Sequence, residues 1–106
     1  IDRENNDGKG KYNLLAPKAI KRIALRAEFG AKKYGDRNWE KGMPISRFLD
    51  SALRHLFQYM AKENSEDHLA ASAWNIMAMM EQEEKIREGK LDKKIDDINN
   101  DDEYEQ

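Results

Sequence analysis

The sequence predicts an all-α protein built from three principal helices. Three observations predict it. Apolar residues recur at three- and four-residue steps in three separate stretches, no segment sustains the two-residue alternation of a strand, and the 106 residues include no valine. One core of ordinary size fits that length, so a single small domain is expected. Three helices that bury one face each are marginal at this size, and assembly into a dimer or tetramer is expected to cover further apolar surface.

Residues 1–16 are polar, contain Gly8 and Gly10, and read as an N-terminal arm. Pro17 then stands where a helix can start, because its missing N–H is not needed in a first turn. Ile20, Ile23, Ala24, Ala27, Ala31 and Tyr34 follow at helical spacing and predict one buried face, with Gly35 as the stop. Residues 35–44 have the turn residues of a loop, with Trp39 in the middle. Ser46 is the expected cap of the second helix, whose predicted stripe is Phe48, Leu49, Ala52, Leu53, Leu56, Phe57 and Met60. Lys62 to Ser65 is a polar break that offers Asn64 or Ser65 as the next cap. The third helix has Leu69, Ala73, Ile76, Met77 and Met80 as its predicted buried stripe and ends near Gly89. Residues 17–90 thus form the expected helical domain. Residues 91–106 carry Leu91, Ile95 and Ile98 at helical spacing and then an acidic run, read as a weak helix or docking segment leading into a flexible acidic tail.

Charge and composition narrow the function. Acidic and basic residues number 21 and 19, and the net charge is −2, yet residues 1–80 carry +4 and residues 81–106 carry −6. A mildly cationic body is too weak a signal for duplex nucleic acid and suits a small anionic ligand. No apolar stretch approaches the roughly 20 residues of a membrane span, and none has a signal-peptide core. With no cysteine, disulfides, thiolate zinc sites and cysteine nucleophiles are ruled out; a cytoplasmic protein is expected.

The short break between the second and third helices implies antiparallel packing, which gathers polar side chains from both. Glu66 and Asp67 at that break, with Glu28 from the first helix, are the candidate ligands for Mg²⁺, a hard cation that takes oxygen donors and shares itself with phosphates; Mn²⁺ would also serve. Lys32, Lys33 and Arg54 are candidates to hold phosphate charge. His55 and His68 are candidates to orient a carboxylate or contact a phosphate, alongside the alternative that both are hydrogen-bonded core histidines. Asn75 shares a helical face with His68. Tyr34 or Trp39 is the candidate for base contact, with Asn38 and Asn75 as further substrate-binding candidates, and Tyr34, Trp39 and Trp74 could equally pack in the core. Glu66 and Asp67 also suit a helix N-terminus on dipole grounds alone, and Glu28 could simply pair with Lys32.

An ordered series of motifs then resembles a known family. Lys11-Tyr12-Asn13-Leu14-Leu15-Ala16-Pro17, Phe29-Gly30-Ala31-Lys32-Lys33-Tyr34-Gly35 and Asn38-Trp39 are followed by Ser46-Arg47-Phe48, Ala52-Leu53-Arg54-His55-Leu56, Glu66-Asp67-His68-Leu69 and Trp74-Asn75. Together they resemble the phage dATP/dGTP diphosphohydrolase N-terminal domain, itself similar to the MazG-like all-α nucleoside triphosphate pyrophosphohydrolases. The resemblance implies a MazG-like helical bundle and Mg²⁺-dependent cleavage between the α- and β-phosphates of a purine deoxynucleotide, in the cytoplasm of a phage-infected cell. That wider superfamily holds its metals on Glu-x-x-Glu and Glu-x-x-Asp helices. This chain departs from both: its second helix offers Asp50 and His55 instead, and Glu63-Asn64-Ser65-Glu66 falls in the break.

The expected function is therefore a nucleoside triphosphate pyrophosphohydrolase acting on dATP or dGTP, with Glu66, Asp67, His55 and His68 as catalytic candidates. The departure from the acidic motif raises a second expectation, a phage nucleotide-binding protein without turnover. A third is a helical adaptor that binds a partner through its acidic tail.

Overall fold

A computed structural model describes residues 8–99. Within them the chain forms α1 (Pro17–Tyr34), α2 (Ile45–Met60) and α3 (His68–Arg87), with single 3₁₀ turns at Tyr12–Leu14, Asn38–Lys41 and Lys93–Ile95. Among the described residues there is no strand, and the all-α, three-helix expectation stands.

The helix ends follow local chemistry, not always at the expected residue. Pro17 occupies the first turn of α1, and Gly35, at φ 94°, closes it by donating its N–H to the Ala31 carbonyl at 2.8 Å. Ser46 does not cap α2, which already begins at Ile45. Its backbone N–H and hydroxyl both donate to the Asp97 carboxylate instead. Neither Asn64 nor Ser65 caps α3. Glu63 draws in the Ser65 N–H at 2.6 Å, so the break tightens into a turn, and Asp67 becomes the cap by accepting from the Ala70 N–H at 3.0 Å.

Pairs across α2 and α3 run in opposite order: the Ser72 hydroxyl donates to the Ala52 carbonyl at 3.0 Å, and the Asn75 amide meets the Ser51 hydroxyl at 3.3 Å. The two helices are antiparallel, as the short break implied. Apart from Ile45, Phe48 and Ile86, the buried residues of these helices are small or polar. Ala52, Ala70, Ala71 and Ala78 are buried, together with Ser72, Asn75 and Gln82. This corrects the predicted stripes. Phe48 and Ala52 are buried as expected, but Phe57 and Met60 are 66% and 71% exposed, and Ile76 and Met80 are 44% and 55% exposed. On α1 no residue is fully buried, and Ile20 and Tyr34 are exposed. Small residues let two helix axes approach closely, and the polar ones among them are hydrogen-bonded, so that face wins the intrachain contact. Phe57, Met60, Ile76 and Met80 are left uncovered, and they are the surface that the expected dimer or tetramer would bury.

Residues 91–99 dock on the loop before α2. At Gly42, φ 99°, a Cβ would lie 3.3 Å from Leu91 Cδ2 and 3.7 Å from Ile95 Cδ1, so the backbone itself forms the seat. Asp96 is fully buried and accepts from the Ile98 and Asn99 N–H groups at 3.1 and 2.9 Å. The acidic run beyond residue 99 lies outside the described residues. The Ser46 hydroxyl, then its backbone N–H, hold the Asp97 carboxyl below its ordinary range. A depressed carboxylate stabilises the fold above its unfolded pKa, and that stability is lost as pH falls through the folded one. Ser46→Ala is thus expected to lower the melting temperature at neutral pH. The gap from wild type should close on acidification below about pH 4; a gap of unchanged size at low pH would exclude the contact as its cause.

Candidate functional site: a tryptophan-walled groove beside a histidine pair

α1 presents Ala27, Gly30 and Ala31 toward the start of α2 and the middle of α3, and these small side chains leave a cavity of about 880 Å³ between the three helices. The loop after α1 supplies its far wall. Arg37 adopts the left-handed conformation at φ 55°, which turns the chain into the 3₁₀ turn that carries Trp39. Trp39 packs edge-on against Trp74 with ring centroids 5.6 Å apart, and Phe48 backs Trp74 at 6.2 Å. Ser51 and Asn75 meet at the polar end. Glu40 pairs with Arg37 at 2.9 Å, whereas Arg47, exposed in the first turn of α2, has no carboxylate partner among the described residues.

The groove gathers five sequence-predicted residues: Glu28, Tyr34, Asn38, Trp39 and Asn75. It adds Arg47, Ser51 and Trp74, which the sequence reading had not placed in the site. Arg47 was in view as part of the Ser46-Arg47-Phe48 motif; its position one turn before Ser51 was the available signal. Lys32 and Lys33 line a neighbouring shallow depression with Leu25, Glu28 and Phe29. Arg54 is exposed on the outer side of α2 and pairs with Asp50 at 2.9 Å.

One turn beyond Ser51 along α2 lies His55, buried against His68 at the start of α3. Their Nδ1 atoms are 2.9 Å apart, and His68 Nε2 meets Glu63 Oε2 at 2.6 Å. Burial pushes the His55 pKa below its ordinary value, which favours the neutral ring at pH 7. Hydrogen bonds from Ser65 and then from His68 hold the Glu63 carboxyl down at about 2.

The structure does not bring Glu28, Glu66 and Asp67 together. Each meets a cation: Glu28 meets Lys32 at 3.3 Å, Glu66 meets Arg26 at 2.6 Å, and Asp67 takes a bidentate pair from Arg22 at 2.6 and 2.8 Å. Arg22 holds the Asp67 carboxyl at about 2, and Arg26 likewise lowers that of Glu66. These pairs tether α1 to the start of α3. Among the described residues, the one group of three His or acidic side chains whose ligand atoms all lie within 4.8 Å of one another is His55, Glu66 and His68. As a trio, Glu28, Glu66 and Asp67 do not fit a shared Mg²⁺.

The three-helix domain thus carries an aromatic groove with Arg47 on its rim and a histidine–carboxylate cluster alongside. The chain belongs to the dATP/dGTP diphosphohydrolase N-terminal family, whose model matches residues 2–94. It is also similar to a dATP/dGTP diphosphohydrolase of Salmonella phage PMBT28, at 35% identity over 63 residues that make up 59% of this chain. The match spans only 20% of that phage protein. No solved structure matches the chain. Among the described residues no helix is long and apolar enough to cross a membrane.

Proposed function

We propose that this chain binds a purine deoxynucleoside triphosphate in the Trp39–Trp74 groove and acts as a pyrophosphohydrolase in the cytoplasm of the phage-infected cell. The reaction consumes one water and splits the α–β phosphoanhydride, giving the deoxynucleoside monophosphate and pyrophosphate. The observation that carries this reading is a groove of about 880 Å³ with two tryptophans on one wall, in a chain of this family. Trp39 offers a face for the base, and Asn38 and Asn75 offer amides for hydrogen bonds to base or sugar. Arg47 supplies a guanidinium for a phosphate, and Lys32 and Lys33 add positive potential beyond Glu28. Divalent-cation dependence belongs to the proposal, but no step is assigned to a Mg²⁺ on Glu28, Glu66 and Asp67, because those carboxylates are apart and ion-paired.

That same ion pairing favours a second reading, nucleotide binding without turnover. One assay separates the two. Incubation with dGTP or dATP and a divalent cation should release pyrophosphate. Unchanged nucleotide, held equally well in EDTA, would replace the hydrolase with a binding protein, and no binding at all would remove both.

A further inference from the structure

The histidine pair has a geometry that the nucleotide reading does not use. His68 Nε2 lies 2.6 Å from Glu63 Oε2, an acceptor to which its N–H donates, and His68 Nδ1 is then left with its lone pair. That lone pair points at His55 Nδ1, 2.9 Å away. Either His55 donates a proton into it, or both nitrogens present lone pairs to a common cation. Two nitrogens 2.9 Å apart, each about 2.1 Å from one ion, would subtend about 90° at it, the angle between adjacent ligands of an octahedron.

Two further observations favour the cation. Glu66 brings a carboxylate oxygen within 4.8 Å of both rings. Glu63 holds the outer nitrogen of His68 as the carboxylate of a ligating histidine does, fixing tautomer and ring orientation. Arg26 meets Glu66 at 2.6 Å but occupies only part of its acceptor capacity.

We infer that His55, His68 and Glu66 form a binding site for a first-row transition-metal dication, positioned by Glu63. Two imidazoles and one carboxylate suit Mn²⁺, Fe²⁺, Co²⁺, Ni²⁺ or Zn²⁺, whereas Mg²⁺ prefers an all-oxygen shell. The site is defined by these side chains alone and holds whether or not the groove takes a nucleotide.

The test is a titration of the EDTA-stripped protein with CoCl₂, read by calorimetry and by the visible absorption of bound Co²⁺, with MgCl₂ in parallel. The full chain should take one Co²⁺, with Mg²⁺ binding at least ~100-fold more weakly, the gap expected for a nitrogen-rich donor set. Glu66→Gln should weaken Co²⁺ at least ~10-fold and Glu63→Gln by ~10–100-fold, the usual range for an outer-shell partner. Glu84→Gln, on an exposed face, should change nothing. Glu66 is exposed, so its variant is expected to fold, and circular dichroism checks that; His55→Gln gives the buried counterpart. Absence of Co²⁺ binding, equal affinity for Mg²⁺, or wild-type affinity in Glu66→Gln would overturn the site and leave a plain histidine–histidine hydrogen bond. None of these outcomes bears on the groove, whose nucleotide affinity is measured separately in EDTA.

Discussion

Replacing Gln82 by leucine is expected to lower the free energy of unfolding by about 2–5 kcal/mol, because it strands two backbone groups at once. Gln82 is fully buried on α3, and its amide closes a ring with one residue of the loop before α2. Oε1 accepts from the Met43 N–H at 3.0 Å, and Nε2 donates to the Met43 carbonyl at 2.8 Å. A helix partner for Met43 is not available, since α2 begins at Ile45. Leucine is of similar size, so the cost arises from unmet hydrogen bonds and not from a cavity. Against the 5–15 kcal/mol of a typical domain this is a large share. Urea unfolding should show a lower midpoint with an unchanged slope. A loss under about 1 kcal/mol would mean that water reaches Met43 and the ring is not structural. The ring also joins the loop carrying Trp39 to α3, so the same variant should loosen the groove.

How much of this was legible in the sequence depended on which force decided each feature. Helix number and order were legible, because Pro17, Gly35 and the three periodic stretches act locally. The faces were not. The period alone marks Phe57, Met60, Ile76 and Met80 as the core of α2 and α3, but the single chain joins these helices through Phe48, alanines and hydrogen-bonded polar residues. Nothing in a one-dimensional pattern distinguishes an apolar stripe facing another helix of the chain from one facing out of it. Caps shifted for a related reason. Ser46 is a good cap in isolation, but Asp97, fifty-one positions away, competes for its hydroxyl and N–H.

Within the site, the aromatic and amide residues were legible from the Tyr34-to-Trp39 segment, whose tryptophan sits oddly in a linker. The acids were not. Glu66 and Asp67 looked like joint ligands with Glu28 by charge and position, but Arg22 and Arg26, one turn apart on α1, arrive opposite them and pair with each, and Glu66 lies beside the two histidines instead. The histidines were legible as candidates, because antiparallel packing across a short break gathers polar side chains of both helices, but their direct pairing was not. Their hydrogen bond and burial fit the core-histidine reading, and their third neighbour, Glu66, is what extends it toward a cation site.

Trp39→Ala is expected to weaken dGTP and dATP binding by about 5–150-fold, the roughly 1–3 kcal/mol that a stacked base loses when its aromatic platform is truncated. The platform is preorganised. Trp74 holds the Trp39 ring edge-on and Phe48 holds Trp74, so little side-chain freedom is surrendered when a base docks. The same contact gives the substitution a structural cost, about 0.5–1.5 kcal/mol from the ring pair beyond the burial lost with it, which a thermal melt will register and which should leave the fold intact. Two controls separate base recognition from general damage. Trp39→Phe keeps a ring in place and should retain most of the affinity. Inorganic triphosphate has no base, so its binding, proposed to rely on Arg47 and the lysines, should be equal in Trp39→Ala and wild type. Loss of both ligands together would point to collapse of the groove, and dGTP affinity within twofold of wild type would show that the base binds elsewhere.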